Sequence, residues 1–425
     1  MFHIDIETST VRDDTSSRPW RPVVHGAVAD AALAAALDLG RVIATLERDP
    51  DPTLAKGTAG QAVALAYLAR QWPGEGFEKT SHELLSAAGN SVASERMTIG
   101  LMQGFTGIAW AVNHLSWGGE DATEQIDDAL IGLLEKPGWR GEYDLVSGLA
   151  GIGTYGLERA GTEAGLRLVE LVVDRLIERS ETIDGRTRWF TPPEFILAAK
   201  LGRAPKGFYN LGMAHGLPAV VAFLADACEA GIAVDKALPV LRGAVEYLLS
   251  ERLDGADSTW PYFVGEEVEI MPARLAWCYG DLGVLSALRR AVAVTGDETW
   301  GAALHTGLDR VLKRSPETSG VTGVSLCHGT AGLALMFARL SFHLDSEELA
   351  AEAARWIEAT LRLQDPSKPL GGFSVWDPDS RDEEGDVQGP GLLAGIAGVA
   401  LALLACASRH APSWDRALML SGPAQ

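Results

Sequence analysis

Two cysteines and one histidine carry the most specific chemistry in this chain: Cys278, in the run ARLAWCYGDLG, and the adjacent pair Cys327-His328, in SLCHGTAG. Thiolate and imidazole are donors that suit zinc, and three protein ligands leave a fourth position open. The spacing matches no zinc finger or ribbon, so each cysteine is weighed against the commoner fate of a small buried hydrophobe. Cys228 and Cys406 fit that fate, lying inside the apolar stretches FLADACEA and LALLACAS. Cys278 and Cys327 differ, because a polar partner and then a glycine follow each within two residues. Two thiolates would cancel the charge of a divalent ion, so bound water would be less acidic than at an all-histidine site. A substrate thiol held there would instead ionise below its free value of ~8.5 and stay nucleophilic. The chemistry expected is thiol activation rather than hydrolysis.

His215, in NLGMAHGLP, and Asp144, in YDLVSGLAG, occupy comparable places just ahead of a glycine. His215 reads either as a satisfied core histidine or as a proton-transfer group, and its place in the fourth of a series of repeats matches that of Cys327-His328 in the sixth. Asp144 reads either as a helix N-cap or as a site residue, and at four residues before Gly148 it sits early for a cap. Arg274 and Tyr279 flank Cys278 and either stabilise developing negative charge or pair with acids. His3, His25, His82, His114, His305, His343 and His410 fall in helices or tails without this context and read as structural.

The elements that must position these residues come from an internal repeat. Seven apolar stretches open on a small-residue signature, with first glycines at 57, 104, 148, 216, 280, 329 and 395. Six carry Gly-x-x-Gly; the fourth has Ala219 in place of the second glycine, after Pro218. Before each runs a more charged stretch with apolar residues at three- and four-residue steps, as in 31–48, 163–180, 234–253 and 349–364, the pattern of a helix with one buried face. A helix apolar on nearly every side must be surrounded. The expected fold is therefore all-α: a double α-barrel, or α/α toroid, of seven inner and seven outer helices. Glycine near an inner helix start costs ~1 kcal/mol in propensity, and the convergence of helix ends at one rim is the expected reason for it. Closure would bring the candidate residues to that rim, where helix N-termini favour negative charge. Three long connections, 182–214, 254–278 and 365–390, are rich in turn and aromatic residues and allow short strands.

Composition bounds the function further. Lysine and arginine number 36 against 57 acids, a net charge of -21, which disfavours nucleic acid as a partner. Apolar residues at 47% and charged ones at 22% describe a well-buried globule. The first twenty residues have no apolar core and do not read as a signal peptide. Residues 387–408 are uncharged and long enough to cross a bilayer, but they repeat a pattern found in shorter copies along the chain and are assigned to the core. The expectation is a cytoplasmic protein of one domain, 1–425.

The motifs GLAGIG (148–153), NLGMAHG (210–216), WCYGDLG (277–283), CHGTAG (327–332) and GPGLLAGIAG (389–398) resemble those of the lanthionine synthetase C-like family, the lanthipeptide cyclases. The resemblance covers nearly the whole chain through its repeats. It implies a double α-barrel with Zn2+ held by Cys278, Cys327 and His328. It also implies His215, Asp144, Arg274 and Tyr279 as the catalytic residues around the metal, and a small inserted domain that would correspond to 182–209. The implied reaction adds peptide cysteine thiols to dehydroalanine or dehydrobutyrine, forming lanthionine and methyllanthionine thioethers. The implied partners are a dehydrated precursor peptide, a lanthipeptide dehydratase and membrane-associated export machinery. Glutathione addition to dehydrated residues in proteins keeps the chemistry with another substrate. Zinc-dependent prenyl transfer would need basic residues for a diphosphate, against the acidic balance. A repeat scaffold with a structural metal is the non-enzymatic reading.

Overall fold

The computed structural model describes residues 18–47, 50–115, 122–196, 202–255, 257–373 and 389–423. The N-terminal reading, His3, and much of the 365–390 connection lie outside them. Among the described residues, fourteen helices of ten residues or more alternate between two kinds. The first kind is α1 (Gly26–Thr45), α3 (Phe77–Ser94), α5 (Glu124–Leu134), α7 (Glu163–Arg179), α9 (Val234–Ser250), α11 (Glu298–Leu312) and α13 (Glu347–Arg362). The second, glycine-headed kind is α2 (Thr58–Gln71), α4 (Phe105–His114), α6 (Leu149–Glu158), α8 (Leu217–Glu229), α10 (Asp281–Thr295), α12 (Thr330–Leu344) and α14 (Ile396–Ala407). Odd helices bury one stripe, as α13 does with Leu349, Ala353, Trp356, Ile357 and Thr360. Even helices are buried nearly all round; every residue of α14 is. At twelve residues α14 is too short to span a bilayer, and no described helix is long and apolar enough to do so.

Two compact units emerge, one from within 1–98, 102–124 and 321–415, the other from within 99–101, 125–320 and 416–425. In the first, α3 packs on α2, α13 on α12 and α1 on α14, while α14 lies against both α2 and α12. In the second, α7 packs on α6, α9 on α8 and α11 on α10, and α8 lies against both α6 and α10. Each unit thus repeats one amphipathic-on-apolar pairing. Truncating a fully buried leucine such as Leu401 or Leu224 should cost about 2–5 kcal/mol.

The two kinds of helix start differently. Three odd helices, α7, α11 and α13, use side-chain caps: Thr162 accepts from Gly165 N–H, Asp297 from Thr299 and Trp300, and Ser346 from Leu349, whereas α1, α3 and α9 start without one. No even helix has a side-chain cap. Instead the preceding loop doubles back and offers its carbonyls. Leu149, Ala150 and Gly151 donate to Glu142, Tyr143 and Asp144 at 3.2, 3.1 and 3.2 Å, and Thr330, Ala331 and Gly332 to Gly323, Val324 and Ser325 at 2.8, 3.4 and 3.3 Å. This return explains the glycines. Gly148 has an extended backbone that any residue adopts (φ -121°), but a Cβ there would overlap the Glu142 carbonyl, and one on Gly332 would overlap that of Leu326. The reason is local contact with the chain's own loop, and not the meeting of helix ends expected from the sequence. In α8, Pro218 falls in the first turn, where a missing N–H costs little.

The second unit also holds short strands, all in the long connections. β1 (Glu181–Ile183) and β2 (Arg186–Arg188) form a hairpin closed by Asp184-Gly185. Both turn residues have positive φ (51° and 76°), the geometry an Asp-Gly turn favours. β3 (Phe190–Thr191), β4 (Phe208–Asn210) and β5 (Phe263–Val264) pair antiparallel in the order β3-β4-β5. Strands expected in 182–214 and 254–278 are therefore present, and the two connections meet in one sheet.

Candidate active site

The loop returning along α6 carries Asp144, and that ahead of α8 carries His215. The Asp144 carboxylate meets His215 Nδ1 at 2.5 Å, while its other oxygen accepts from Ser147 N–H at 2.7 Å. The aspartate is thus anchored to its own loop and aimed at the imidazole. Its side chain is 5% exposed against 41% for His215, so a buried carboxylate supports a half-buried ring. Burial lowers the pKa of His215, but the charge and hydrogen bond of Asp144, with Glu142 and Cys278 beyond, outweigh it and raise the imidazole above its usual range. A histidine so held can carry a proton at neutral pH and return to the same tautomer after releasing it.

Glu142 is a functional candidate the sequence did not reveal. Its carboxyl oxygen, one from Asp144 and a ring nitrogen of His215 all lie within 4.8 Å of one another. Burial and then the neighbouring Asp144 charge push the Glu142 carboxyl up to about 7. Only its place two residues before Asp144, on a loop that turns back, signals it.

Tyr279 stands over His215, ring centroids 6.3 Å apart and planes 29° from parallel. Its hydroxyl oxygen accepts from Asn210 Nδ2 at 3.1 Å, and Asn210 Oδ1 accepts from Gly212 N–H at 2.9 Å. Burial keeps the phenol protonated well past its usual range. Gly212 is needed for this packing, since a Cβ there would press on the Tyr279 ring. Arg274 is half-buried on the same loop, and its Nε has no hydrogen-bond partner among the described residues.

Cys278 is buried in the turn ahead of α10. That turn is fixed from behind by Asp281, whose carboxylate accepts from Ser258 Oγ at 3.0 Å and from Thr259 and Trp260 N–H at 3.0 and 3.1 Å, with Arg314 at 3.5 Å. In the other unit, Cys327 and His328 occupy the corresponding turn ahead of α12. Cys327 N–H donates to the Leu393 carbonyl at 2.9 Å, and His328 is buried. All four cysteines are free. Cys406 lies in the core of α14 and Cys228 half-buried near the end of α8, and burial pushes their thiols up to about 12 and about 11. The helix N-termini contribute less than the sequence suggested, because the first-turn N–H groups of α6 and α12 already bind loop carbonyls.

Paired amphipathic and apolar helices, with an aspartate-held histidine on the loop ahead of one of them, define an all-α protein class. A model of the lanthionine synthetase C-like protein family matches residues 49–419, and the chain belongs to this family. It is 25% identical over 401 residues to the nisin biosynthesis protein NisC of Lactococcus lactis subsp. lactis, covering 87% of this chain and 88% of that protein. The solved structure of nisin cyclase superposes with a TM-score of 0.71 at 19% identity, covering 92% of this chain and 96% of that one. The fold class is accordingly the α/α toroid expected from the seven repeats, and the homology supports a cyclase enzyme.

Proposed function

We propose that this chain is a zinc-dependent lanthipeptide cyclase, which adds cysteine thiols of a dehydrated precursor peptide to dehydroalanine or dehydrobutyrine. The observation that carries the reading is the Asp144–His215 pair at 2.5 Å, with its imidazole half-buried and Tyr279 beside it. As the sulfur–carbon bond forms, the alkene electron pair moves toward the adjacent carbonyl and an enolate develops. His215 delivers its proton to the enolate carbon, and Asp144 stabilises the imidazolium before that step. The unpartnered Nε–H of Arg274 and the protonated phenol of Tyr279 are donors suited to the enolate oxygen.

Cys278, Cys327 and His328 are the residues that would hold zinc. The fit rests on the donor set and its placement: free thiols two residues ahead of the glycine in two corresponding turns, with an imidazole beside one. Zinc bound there would supply a Lewis acid that keeps a substrate sulfur ionised. The reading treats 1–425 as one cyclase domain with 182–209 inserted in it. It places the reaction in the cytoplasm, in keeping with four free cysteines, alongside a dehydratase and an exporter.

The test is incubation with a dehydrated, cysteine-containing peptide. Free thiols should disappear while the parent mass stays unchanged, and in deuterated water one non-exchangeable deuterium should enter per ring. Persistent thiols with every such peptide, or accumulation of glutathione adducts or of a prenyl mass increment, would overturn the reading.

A further inference from the structure

We infer that Glu142 is a positioning residue for the Asp144–His215 pair, its carboxyl group setting how firmly His215 holds the proton it must give up. The geometry places it there. Glu142 is the first residue of the returning loop, its carbonyl accepts the Leu149 N–H at 3.2 Å, and its carboxyl lies within 4.8 Å of the reactive atoms of Asp144 and His215. Two carboxyls that close do not both ionise cheaply. Its half-buried place, and then the Asp144 charge beside it, push the Glu142 carboxyl up to about 7. When protonated it donates to Asp144; when ionised it adds a second negative charge facing the imidazole.

The titratable groups around this cluster are few. Asp144 shares the loop with Glu142, His215 comes from the loop ahead of α8, Cys278 and Tyr279 from that ahead of α10, and Tyr143 adjoins with Arg179 of α7 near it. Glu142 is the member that changes charge in the neutral range while touching neither the peptide thiol nor the alkene.

Its use follows from the proton balance of the proposed cyclisation, on which this inference rests. One proton leaves the thiol as the C–S bond forms, and one reaches the enolate carbon from His215. The cluster therefore gains one proton and loses one per ring. With Asp144 alone, the incoming proton has only the group already engaged with the imidazolium. Glu142 offers a second carboxyl, so a proton can be held without displacing the one about to be delivered.

The experiment compares the full chain with Glu142→Gln and Glu142→Asp. Gln keeps the shape and removes the charge, so the imidazolium should be lost at lower pH. The cyclisation rate of Glu142→Gln relative to wild type should then be about tenfold lower at about pH 8 than at about pH 6, while metal content and helical circular dichroism stay unchanged. Glu142→Asp, which keeps the charge, should restore the wild-type profile. A loss equal at all pH values would make Glu142 a structural residue and overturn the inference. NMR titration of the His215 imidazole, assigned by its loss in His215→Ala and recorded without peptide, separates the two readings. A resonance that titrates at lower pH in Glu142→Gln sustains the coupling even if no peptide is cyclised. An unmoved titration sinks it even if every peptide is.

Discussion

Asp281 offers a test in which fold and site stand together. Its carboxylate is fully buried, and three donors reach Oδ1: Ser258 Oγ at 3.0 Å, with Thr259 and Trp260 N–H at 3.1 Å each. Oδ2 faces the Arg314 guanidinium at 3.5 Å. Asp281→Ala would leave a buried arginine without its counter-charge and two buried N–H groups without acceptors. Breaking a buried ion pair from one side costs about 3–5 kcal/mol and each orphaned donor about 1–3. These contributions overlap, and a loss of about 4 kcal/mol is expected. Asp281→Asn keeps an oxygen at the Oδ1 position but turns an amide toward Arg314, so about half that loss, roughly 2 kcal/mol, should follow. Urea unfolding should show this as a lower midpoint at an unchanged slope. Because Asp281 fixes the turn that carries Cys278, Asp281→Ala should also lose more metal on dialysis than Asp281→Asn. Equal effects of the two variants, or a loss under about 1 kcal/mol for the alanine, would show that these hydrogen bonds do not hold the loop.

Purified protein should carry about one zinc per chain, and Cys278→Ala or Cys327→Ala should remove most of it while helical circular dichroism persists; metal-free wild type from zinc-replete medium would refute the site. His215→Ala should retain zinc and slow cyclisation by about 10²–10⁴-fold, and parallel loss of metal would make His215 a ligand or a prop. Because Asp144 raises the His215 pKa and the acid must be protonated, the rate should hold above the ordinary imidazole range and fall as pH rises through the raised value; Asp144→Asn should move that fall to lower pH in the same rate profile. Gly148→Ala should destabilise the fold by about 1–3 kcal/mol, although its extended backbone suits any residue, since the new Cβ meets the Glu142 carbonyl; a neutral or stabilising result in thermal unfolding would refute the loop-return account.

Much of this was legible in the sequence because the repeat writes it seven times. The apolar runs fixed which helices are surrounded, and the three- and four-residue periodicity marked their partners. Boundaries were weaker: the stretch read as 31–48 is the helix Gly26–Thr45, whose start has no side-chain cap to announce it. Asp144 and His215 stood out through their place ahead of the glycine. Glu142 did not, because its approach to them depends on a loop running back along its own helix, which leaves no periodic trace. Asp281 was hidden for a related reason. It contacts Ser258, Thr259 and Trp260, over twenty residues upstream in an aperiodic connection. The pairing of β4 with β5 joins two such connections and is equally invisible to a local reading.

The loop return also bears on why chemistry gathers where it does. A helix start normally needs a side-chain acceptor, as Thr162, Asp297 and Ser346 show on the outer helices. Where loop carbonyls satisfy those N–H groups, the polar side chains just ahead of the helix are released from capping. Asp144 stands ahead of α6, and Cys327 and His328 stand ahead of α12, the helices where these loop bonds are made. The glycines behind them make the return possible by admitting the loop backbone, so one local device starts the helix without a side-chain cap. A substitution at a repeat glycine should therefore harm the site and the fold together, whereas a change at an outer-helix cap should touch stability alone. Thr162→Ala, expected to cost about 1 kcal/mol with metal content and cyclisation unchanged, is the contrast to set against Gly148→Ala. Loss of activity in the cap variant at equal stability would show that the outer caps bear on the site as well.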